Sequence, residues 1–200
     1  MLSLVMNNSI FDPFVLVGGT NVSLRYGHRK SIDIDMFTDA DYDTIDFSEI
    51  DSFFKNQFAY CLGGDDAQII GMGKSYLAGH SIEDAVKVDL FYTDPFIRPV
   101  EQMDKIRMAS IEDLIAMKVE VLTKKGRKKD FWDLHLFLDY FPVEKMIALH
   151  KERYPWSHCA DDMPGHFVDF DKAENDPDPD CLQGKMWEII KLDFIDLICG

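Results

Sequence analysis

The 200-residue sequence has no long hydrophobic run and few cysteines. No window approaches about 18 consecutive apolar residues, so we expect no membrane-spanning helix and no membrane partner. The four cysteines form no C-x-x-C pair, which predicts reduced and mostly buried thiols rather than a disulfide framework. The N-terminal segment lacks the basic start of a signal peptide. These absences together favour a cytoplasmic protein.

Positive charge is also scarce, with 21 lysines and arginines against 36 acidic residues and a formal net charge of −15. This balance excludes a general, sequence-blind nucleic-acid coat protein, because such proteins bind phosphates through excess basic residues. A local basic patch is compatible with this negative net charge. Five basic residues occupy six positions in the run 124–129, and they form either an exposed helix junction or a site that attracts a polyphosphate or an RNA end.

What the sequence does have is enough apolar material for a core, with 46% hydrophobic residues and 15 phenylalanines. Apolar or alternating segments predict strands at 14–17, 31–37 and 85–92, and a hairpin over 67–72 and 75–80 with Gly73-Lys74 as its turn. Helical periodicity follows from Ser110 onward. We therefore predict an α+β fold: a small mixed β-sheet core with flanking helices over 1–105, then a helical region over 106–200 with an acidic loop at about 155–185.

The first predicted strand ends in Gly18, Gly19 and Thr20. Glycines let a phosphate approach the backbone closely, and the helix expected to follow, capped by Thr20, offers free N–H groups. Two glycines are equally typical of an ordinary strand-to-helix turn. The spacing matches neither a P-loop nor a dinucleotide-binding fingerprint.

Two aspartates, Asp33 and Asp35, alternate along the next predicted strand. On one face of a strand they would lie about 7 Å apart and repel each other, and a divalent cation such as Mg²⁺ would remove that cost. Asp89 adds a third carboxylate inside an apolar strand, where an unpaired charge is expensive. The alternative is that all three aspartates are structural and solvated.

The order of these signals is more specific than any one of them. A strand, Gly-Gly-Thr, a short helix, Asp-x-Asp and a later lone aspartate resemble the polymerase-β-type nucleotidyltransferase superfamily. The segments LVGGTNVSLRYGHRKSIDIDMF, KVDLF and IRMASIEDLIAMKVEVLTKKGRKKDFWDL resemble the AbiEii/AbiGii-type toxin nucleotidyltransferases, over residues of about 14–140. The resemblance implies Mg²⁺-dependent transfer of a nucleoside monophosphate from an NTP to a hydroxyl, by the toxin of a toxin–antitoxin or phage abortive-infection system.

The resemblance also implies roles for single residues. Gly18, Gly19 and Thr20 would bind the NTP. Asp33, Asp35 and Asp89 would hold one or two Mg²⁺ ions, and Asp89 would complete the metal site or act as the base for the incoming hydroxyl. Lys118 would pair with phosphate, and Asp130 would fix a neighbouring basic residue or contact the base and ribose.

Further candidates come from basic residues beside these motifs. We expect His28, Arg29, Arg127 and Lys129 to contact the nucleotide or the acceptor, a solvated loop being the alternative for the first two. The family resemblance favours GTP as the NTP and implies a cognate antitoxin, and the basic run suggests an RNA acceptor such as a tRNA end. The competing interpretation is a catalytically silent nucleotide- or protein-binding module on the same fold.

Overall fold

The computed structural model describes residues 1–63 and 72–200. The chain forms two compact units. We call residues 1–21 with 32–109 the sheet unit, and residues 22–31 with 110–200 the helical unit. In the described part of the chain, no helix combines the length and apolarity needed to cross a membrane.

The sheet unit is built on a seven-stranded mixed sheet with the order β3-β4-β5-β2-β1-β7-β6. Its central pair, β2 and β5, runs parallel, and β1 runs antiparallel to β2. The strands are β1 (Val15–Leu16), β2 (Ile34–Thr38), β3 (Tyr60–Gly63), β4 (Gly73–Gly79), β5 (Val86–Tyr92), β6 (Glu101–Met103) and β7 (Ile106–Met108).

Alternation along the two central strands decides which face is buried. On β2, Ile34 and Met36 are buried in the core of the unit, as Val88 and Leu90 are on β5. Since successive side chains point to opposite faces, Asp35 and Asp89 project from the other side of the sheet. The alternation of apolar residues along the two strands therefore determines on which face of the sheet the two carboxylates lie.

Two helices complete the sheet unit, α1 (Leu2–Met6) and α3 (Phe47–Gln57), together with a 3₁₀ turn (Ser9–Phe11). Asp46 caps α3 by accepting hydrogen bonds from the backbone N–H groups of Ser48 and Glu49. The buried face of α3 packs on the sheet, where Phe54 stacks on Tyr76 of β4 with ring centroids 4.2 Å apart.

The helical unit begins where α2 (Gly18–Tyr26) leaves the sheet unit. Ser110 caps its first long helix, because its side chain accepts a hydrogen bond from the N–H of Asp113. Phe131, Trp187 and Phe194 form an aromatic centre for the unit. The helices are α4 (Ile111–Thr123), α5 (Lys128–Phe137), α6 (Val143–Arg153), α7 (Met163–His166) and α8 (Trp187–Cys199).

The α+β fold class is confirmed, and several local expectations are wrong. Gly73 and Lys74 are the first two residues of β4 and do not form a hairpin turn. The strand that pairs with the outer side of β4 is β3, Tyr60–Gly63. The partner strand expected at 67–72 lies outside the described residues except for its last position. The acidic stretch 155–185 carries α7 and a 3₁₀ turn between irregular segments, and it buries Met163 and Phe167.

The expectation of mostly buried thiols is wrong, because Cys159 and Cys199 are exposed and the other two are half-buried.

Candidate active site

Asp35 and Asp89 lie side by side in the sheet unit. The parallel register of β2 and β5 pairs them directly, with Asp35 opposite Asp89. Both are set among buried apolar neighbours on their own strands and point to the face opposite the core. The structure therefore brings together two of the three aspartates that the sequence singles out, although 54 positions separate them along the chain.

One oxygen of Asp89 has no partner. Its Oδ2 accepts a hydrogen bond from Lys87 Nζ at 2.5 Å, whereas Oδ1 is buried and meets no donor in the described part of the chain. An unsatisfied carboxylate oxygen is costly to bury unless a ligand completes it. A cation or a hydroxyl proton is the kind of group that would satisfy Oδ1.

Asp33 lies outside the strand predicted for it, because β2 begins at Ile34. The side chain of Asp33 is exposed, and its carbonyl oxygen accepts a hydrogen bond from the Thr20 hydroxyl. Among residues 1–63 and 72–200, no three acidic, histidine or cysteine side chains stand close enough to ligate one ion. Asp33 as a third metal ligand thus stays a prediction.

Gly18 packs directly against Asp35. It is the first residue of α2 and has φ +67°, a left-handed conformation that disfavours any side chain. A Cβ at Gly18 would lie 3.1 Å from Cγ of Asp35 and still closer to Oδ2. The first glycine of the Gly-Gly-Thr motif is therefore required by the backbone and by the adjacent carboxylate.

Thr20 does not cap α2, since the helix starts two residues earlier at Gly18. Its hydroxyl instead ties α2 to the backbone of Asp33. The next residue, Asn21, is fully buried and donates from Nδ2 to the carbonyls of Leu16 at 2.8 Å and Ala109 at 3.1 Å. Asn21 fixes the first turn of α2 to the sheet, and the sequence analysis gave it no role.

Gly18→Ala is expected to cause a large loss of nucleotidyl-transfer activity and only a modest loss in the free energy of unfolding. The matched control is Gly27→Ala, since Gly27 also has positive φ, but among the described residues beyond its chain neighbours a built Cβ meets no atom within 4 Å. Each substitution should cost about 1–2 kcal/mol in backbone strain, whereas only Gly18→Ala displaces Asp35. Denaturant unfolding and a nucleotidyl-transfer assay on both variants test this, and equal activity losses would contradict it.

A second cluster of charges lies in the helical unit. Asp133, on α5, is fully buried, and its two carboxylate oxygens accept hydrogen bonds from one edge of the Arg29 guanidinium, at 2.6 Å from Nε and 2.8 Å from Nη2. His28 Nε2 lies 2.7 Å from the same carboxylate, and Lys118 Nζ lies 2.8 Å from it and 2.7 Å from Asp130. We call these five residues the Asp133 cluster.

Burial and ion pairing act in opposite directions in the Asp133 cluster. Burial alone would raise the pKa of Asp133, but the Lys118 charge and the hydrogen bonds from His28 and Arg29 hold it far below its usual range. Burial would lower the pKa of Lys118, whereas Asp130 and Asp133 together raise it to about 12. Asp133 and Lys118 therefore stay ionised across the physiological range.

Asp133 is a residue that the sequence analysis missed. The signal available was its spacing, three residues after Asp130 on one helix, which places both carboxylates on the same side of α5. The structure also places His28 and Arg29 inside the helical unit, where they are almost completely buried. They are not in the solvated loop that the sequence left open as the alternative.

The basic run 124–129 is divided between exposed and buried side chains. Lys124, Lys125 and Arg127 are exposed, and Lys129 is half-buried. The backbone N–H of Arg127 donates to Asp130 at 3.0 Å. Lys128 is buried and forms an ion pair with Asp178 at 2.9 Å. Only part of the run is therefore available as a basic surface.

Comparisons with known proteins agree with this architecture. A protein from Aquifex aeolicus (strain VF5), described as uncharacterized protein aq_aa25, is 29% identical over 164 residues, which are 76% of this chain and 72% of that protein. The crystal structure of a proposed nucleotidyltransferase from H. pylori superposes with a TM-score of 0.60 at 19% identity, covering 98% of this chain and 90% of that chain. MenT4, a nucleotidyltransferase toxin from Mycobacterium tuberculosis H37Rv, matches 94% of this chain and 75% of its own, with a TM-score of 0.57 at 14% identity.

The solved structures share the fold, and the family model identifies the chain. The model described as nucleotidyl transferase AbiEii toxin, type IV TA system, matches residues 3–196, almost the whole length. The chain therefore belongs to the AbiEii family of nucleotidyltransferase toxins.

Proposed function

We propose that this nucleotidyltransferase requires Mg²⁺ and transfers a nucleoside monophosphate from an NTP to a hydroxyl group, releasing pyrophosphate. The observation that carries the proposal is the Asp35–Asp89 pair on adjacent parallel strands, with Gly18 packed against Asp35. Two carboxylates facing one side of a sheet suit a hard cation with oxygen ligands. The glycine backbone beside them suits a phosphate.

The residues present fit a divalent cation. Asp35 and Asp89 would hold it, with Asp33 as the third ligand. Oδ1 of Asp89, which has no hydrogen-bond partner among the described residues, is the atom whose burial a cation would best compensate. When bound, Mg²⁺ neutralises the charge that develops on the transferring phosphate and on the leaving pyrophosphate. One or two ions are compatible with this set of carboxylates.

The remaining residues of the sheet unit would position the substrate. Gly18 and Gly19 present backbone N–H groups at the start of α2, where the helix dipole favours negative charge. Thr20 holds α2 to the segment that carries Asp33, which links the proposed phosphate side of the site to its carboxylate side. Asp89 either completes the cation site or accepts the proton of the acceptor hydroxyl at Oδ1.

In the helical unit, Lys118 is the residue we propose for phosphate contact. Its ammonium group has three N–H donors, and two carboxylates, Asp130 and Asp133, accept from it. Counting the described residues alone, one donor therefore remains for a phosphate oxygen. Asp130 would act by fixing Lys118, with His28, Arg29, Arg127 and Lys129 as further contacts for the nucleotide or the acceptor.

We propose an RNA such as a tRNA as the acceptor, with GTP as the favoured NTP and a cognate antitoxin as a protein partner in the cytoplasm. The exposed side chains of Lys124, Lys125 and Arg127 support an anionic acceptor, since they concentrate positive charge on a chain of net charge −15. The family description, which names a type IV toxin–antitoxin system, supports the antitoxin.

A labelling assay tests the proposal. The protein is incubated with total RNA and each α-³²P-labelled NTP in turn, with Mg²⁺ or with excess EDTA. We expect Mg²⁺-dependent label on RNA, strongest with GTP. Absence of label with every NTP would refute the RNA acceptor, and Mg²⁺-dependent NTP binding without any transfer would favour the catalytically silent module.

A further inference from the structure

Lys185, His135 and Asp193 form a chain of hydrogen bonds within the helical unit. Lys185 lies just before α8, His135 lies on α5 and Asp193 on α8. Nε2 of His135 is 2.7 Å from Oδ2 of Asp193, and Nδ1 of the same ring is 2.6 Å from Nζ of Lys185. The edge of the His135 ring packs on Phe194, with ring centroids 6.1 Å apart, and this contact supports the orientation of the imidazole. We call the three hydrogen-bonded residues the Lys185 triad.

The two partners of the imidazole determine where its protons lie. A carboxylate only accepts hydrogen bonds, so Nε2 of His135 carries a proton and donates it to Asp193. The 2.6 Å between Nδ1 and Nζ holds one further proton, which belongs either to an ammonium group at Lys185 or to an imidazolium at His135. Lys185 and His135 are therefore not both charged. Asp193 stabilises the state in which the imidazole has taken the proton.

The Lys185 triad lines a cleft of about 360 Å³. Leu138 and Leu197 supply apolar surface in this cleft, and Asp139 and Asp196 add two more carboxylates. The cleft opens at the surface of the protein, since Asp139, Asp196 and Leu197 are all exposed. A small molecule can therefore reach the amine of Lys185 from solvent.

Burial also favours the neutral amine at Lys185. It lowers the pKa of Lys185, although the nearby charges of Asp139 and Asp193 act in the opposite direction. A lysine becomes a nucleophile when it loses its proton, and partial desolvation and an adjacent base both promote this loss. His135 provides that base at hydrogen-bonding distance. The geometry of the triad and the burial of Lys185 thus act in the same direction.

We propose that Lys185 is a site of covalent modification, where its amine forms a Schiff base with small uncharged aldehydes. Nζ passes a proton to Nδ1 of His135 and attacks the carbonyl carbon, a C–N bond forms, and a proton moves from nitrogen to the aldehyde oxygen. The imidazolium of His135 then returns its proton to the hydroxyl group of this carbinolamine, the C–O bond breaks, and water leaves. The products are a protonated imine at Lys185 and a neutral His135, so the total charge is conserved.

The charge of the cleft favours this class of electrophile. The protonated imine keeps the positive charge of Lys185 beside the three carboxylates of Asp139, Asp193 and Asp196. Acylation would instead remove that positive charge. Acyl phosphates also carry negative charge, which the three carboxylates repel. An uncharged aldehyde avoids both effects.

Reductive trapping of the imine tests the proposal. The protein is treated at pH 7 with acetaldehyde and sodium cyanoborohydride, and ethylation of each lysine is followed over time by peptide mass spectrometry. The reference is Lys145 of α6, whose side chain is exposed. We expect Lys185 to react at least about tenfold faster than Lys145, because a positioned base typically raises a rate by about 10²-fold or more. Equal rates, or faster reaction of Lys145, would overturn the proposal.

A parallel reaction with acetyl phosphate tests the class of electrophile. We expect Lys185 to be acetylated no faster than Lys145, since this reagent is anionic and the cleft is acidic. An equally strong preference for Lys185 with both reagents would overturn the choice of aldehydes.

His135→Phe tests the base, because it keeps an aromatic ring against Phe194 and removes both ring nitrogens. The ethylation rate of Lys185 should fall about tenfold while that of Lys145 is unchanged. Asp193→Asn is the conservative variant, since its amide oxygen can still accept from Nε2 but carries no charge, and we expect an intermediate rate. An unchanged Lys185 rate in His135→Phe would overturn the role of the histidine. The wild-type comparison decides the modification site by itself, whatever the stability of these variants.

Discussion

Asp35→Asn is expected to lower nucleotidyl transfer about 10³-fold or more while leaving the protein folded. The change keeps the shape of the side chain and removes one of the two negative charges paired across β2 and β5. Loss of one well-placed electrostatic group typically costs 10²–10³ in rate, and loss of a cation ligand costs at least as much. Stability should be unchanged or slightly higher, because the repulsion between Asp35 and Asp89 is relieved.

The control for this prediction is Asp41→Asn. Asp41 lies shortly after β2, and its side chain is exposed, so the variant carries the same charge change outside the proposed site. Label transfer from NTP and the thermal unfolding midpoint are measured for both proteins. Wild-type transfer by Asp35→Asn would refute the assignment of the site, and a matching loss in Asp41→Asn would point to net charge instead.

Asp133→Ala is expected to destabilise the protein by about 3–5 kcal/mol, since it removes the buried carboxylate that two buried cations share. Arg29 and Lys118 are 3% and 9% exposed, and both lose their shared carboxylate. His28 loses its hydrogen-bond partner at the same time. The free energy of unfolding from denaturant titration at pH 7 measures the effect.

Asp180→Ala is the matched control, because Asp180 also forms an ion pair with a basic residue of the segment 22–31. The partner is Lys30, whose Nζ lies 2.7 Å from Asp180 Oδ2. Both of those side chains are more than 60% exposed, so the variant should unfold as the wild type does. Similar losses in the two variants would contradict the structural importance of the Asp133 cluster.

The effect of Asp133→Ala should also depend on pH. The pKa of Asp133 is lowered in the folded state, so its contribution is complete above the ordinary carboxyl pKa of about 4 and is lost as pH falls below it. The difference in unfolding free energy should therefore stay constant from pH 7 to about 5 and shrink at lower pH.

Sequence patterns predicted the central strands and the long helices because those elements are defined by local periodicity. The buried positions of β2 and β5 alternate, and Ser110 caps α4 through Asp113. The short strands β6 and β7 were missed, since three residues each are too short to show a period. The prediction of a turn at Gly73-Lys74 is wrong because these two residues pair with Phe91 and Leu90 on β5, and this pairing outweighs the local turn preference.

For the candidate site, the sequence predicted residue types and order but not partners. That Asp35 faces Asp89 depends on strand register, which the hydrophobic pattern of both strands sets only when they are packed together. The pairing of Arg29 with Asp133 depends on helix packing between distant segments. The spacing of Asp130 and Asp133 indicates a shared side of α5 but not the partners of either residue, and Asp133 was therefore missed.

The pairing of Arg29 with Asp133 also constrains how the protein is made. The two residues are 104 positions apart, so Arg29 leaves the ribosome long before its partner is synthesised. At about 5–20 residues per second, the delay is roughly 5 to 20 s. Until residue 110 is made, the segment 22–31 has none of its contacts to 110–200, and the helical unit can only close late in translation. Completion of this unit is thus coupled to completion of the chain.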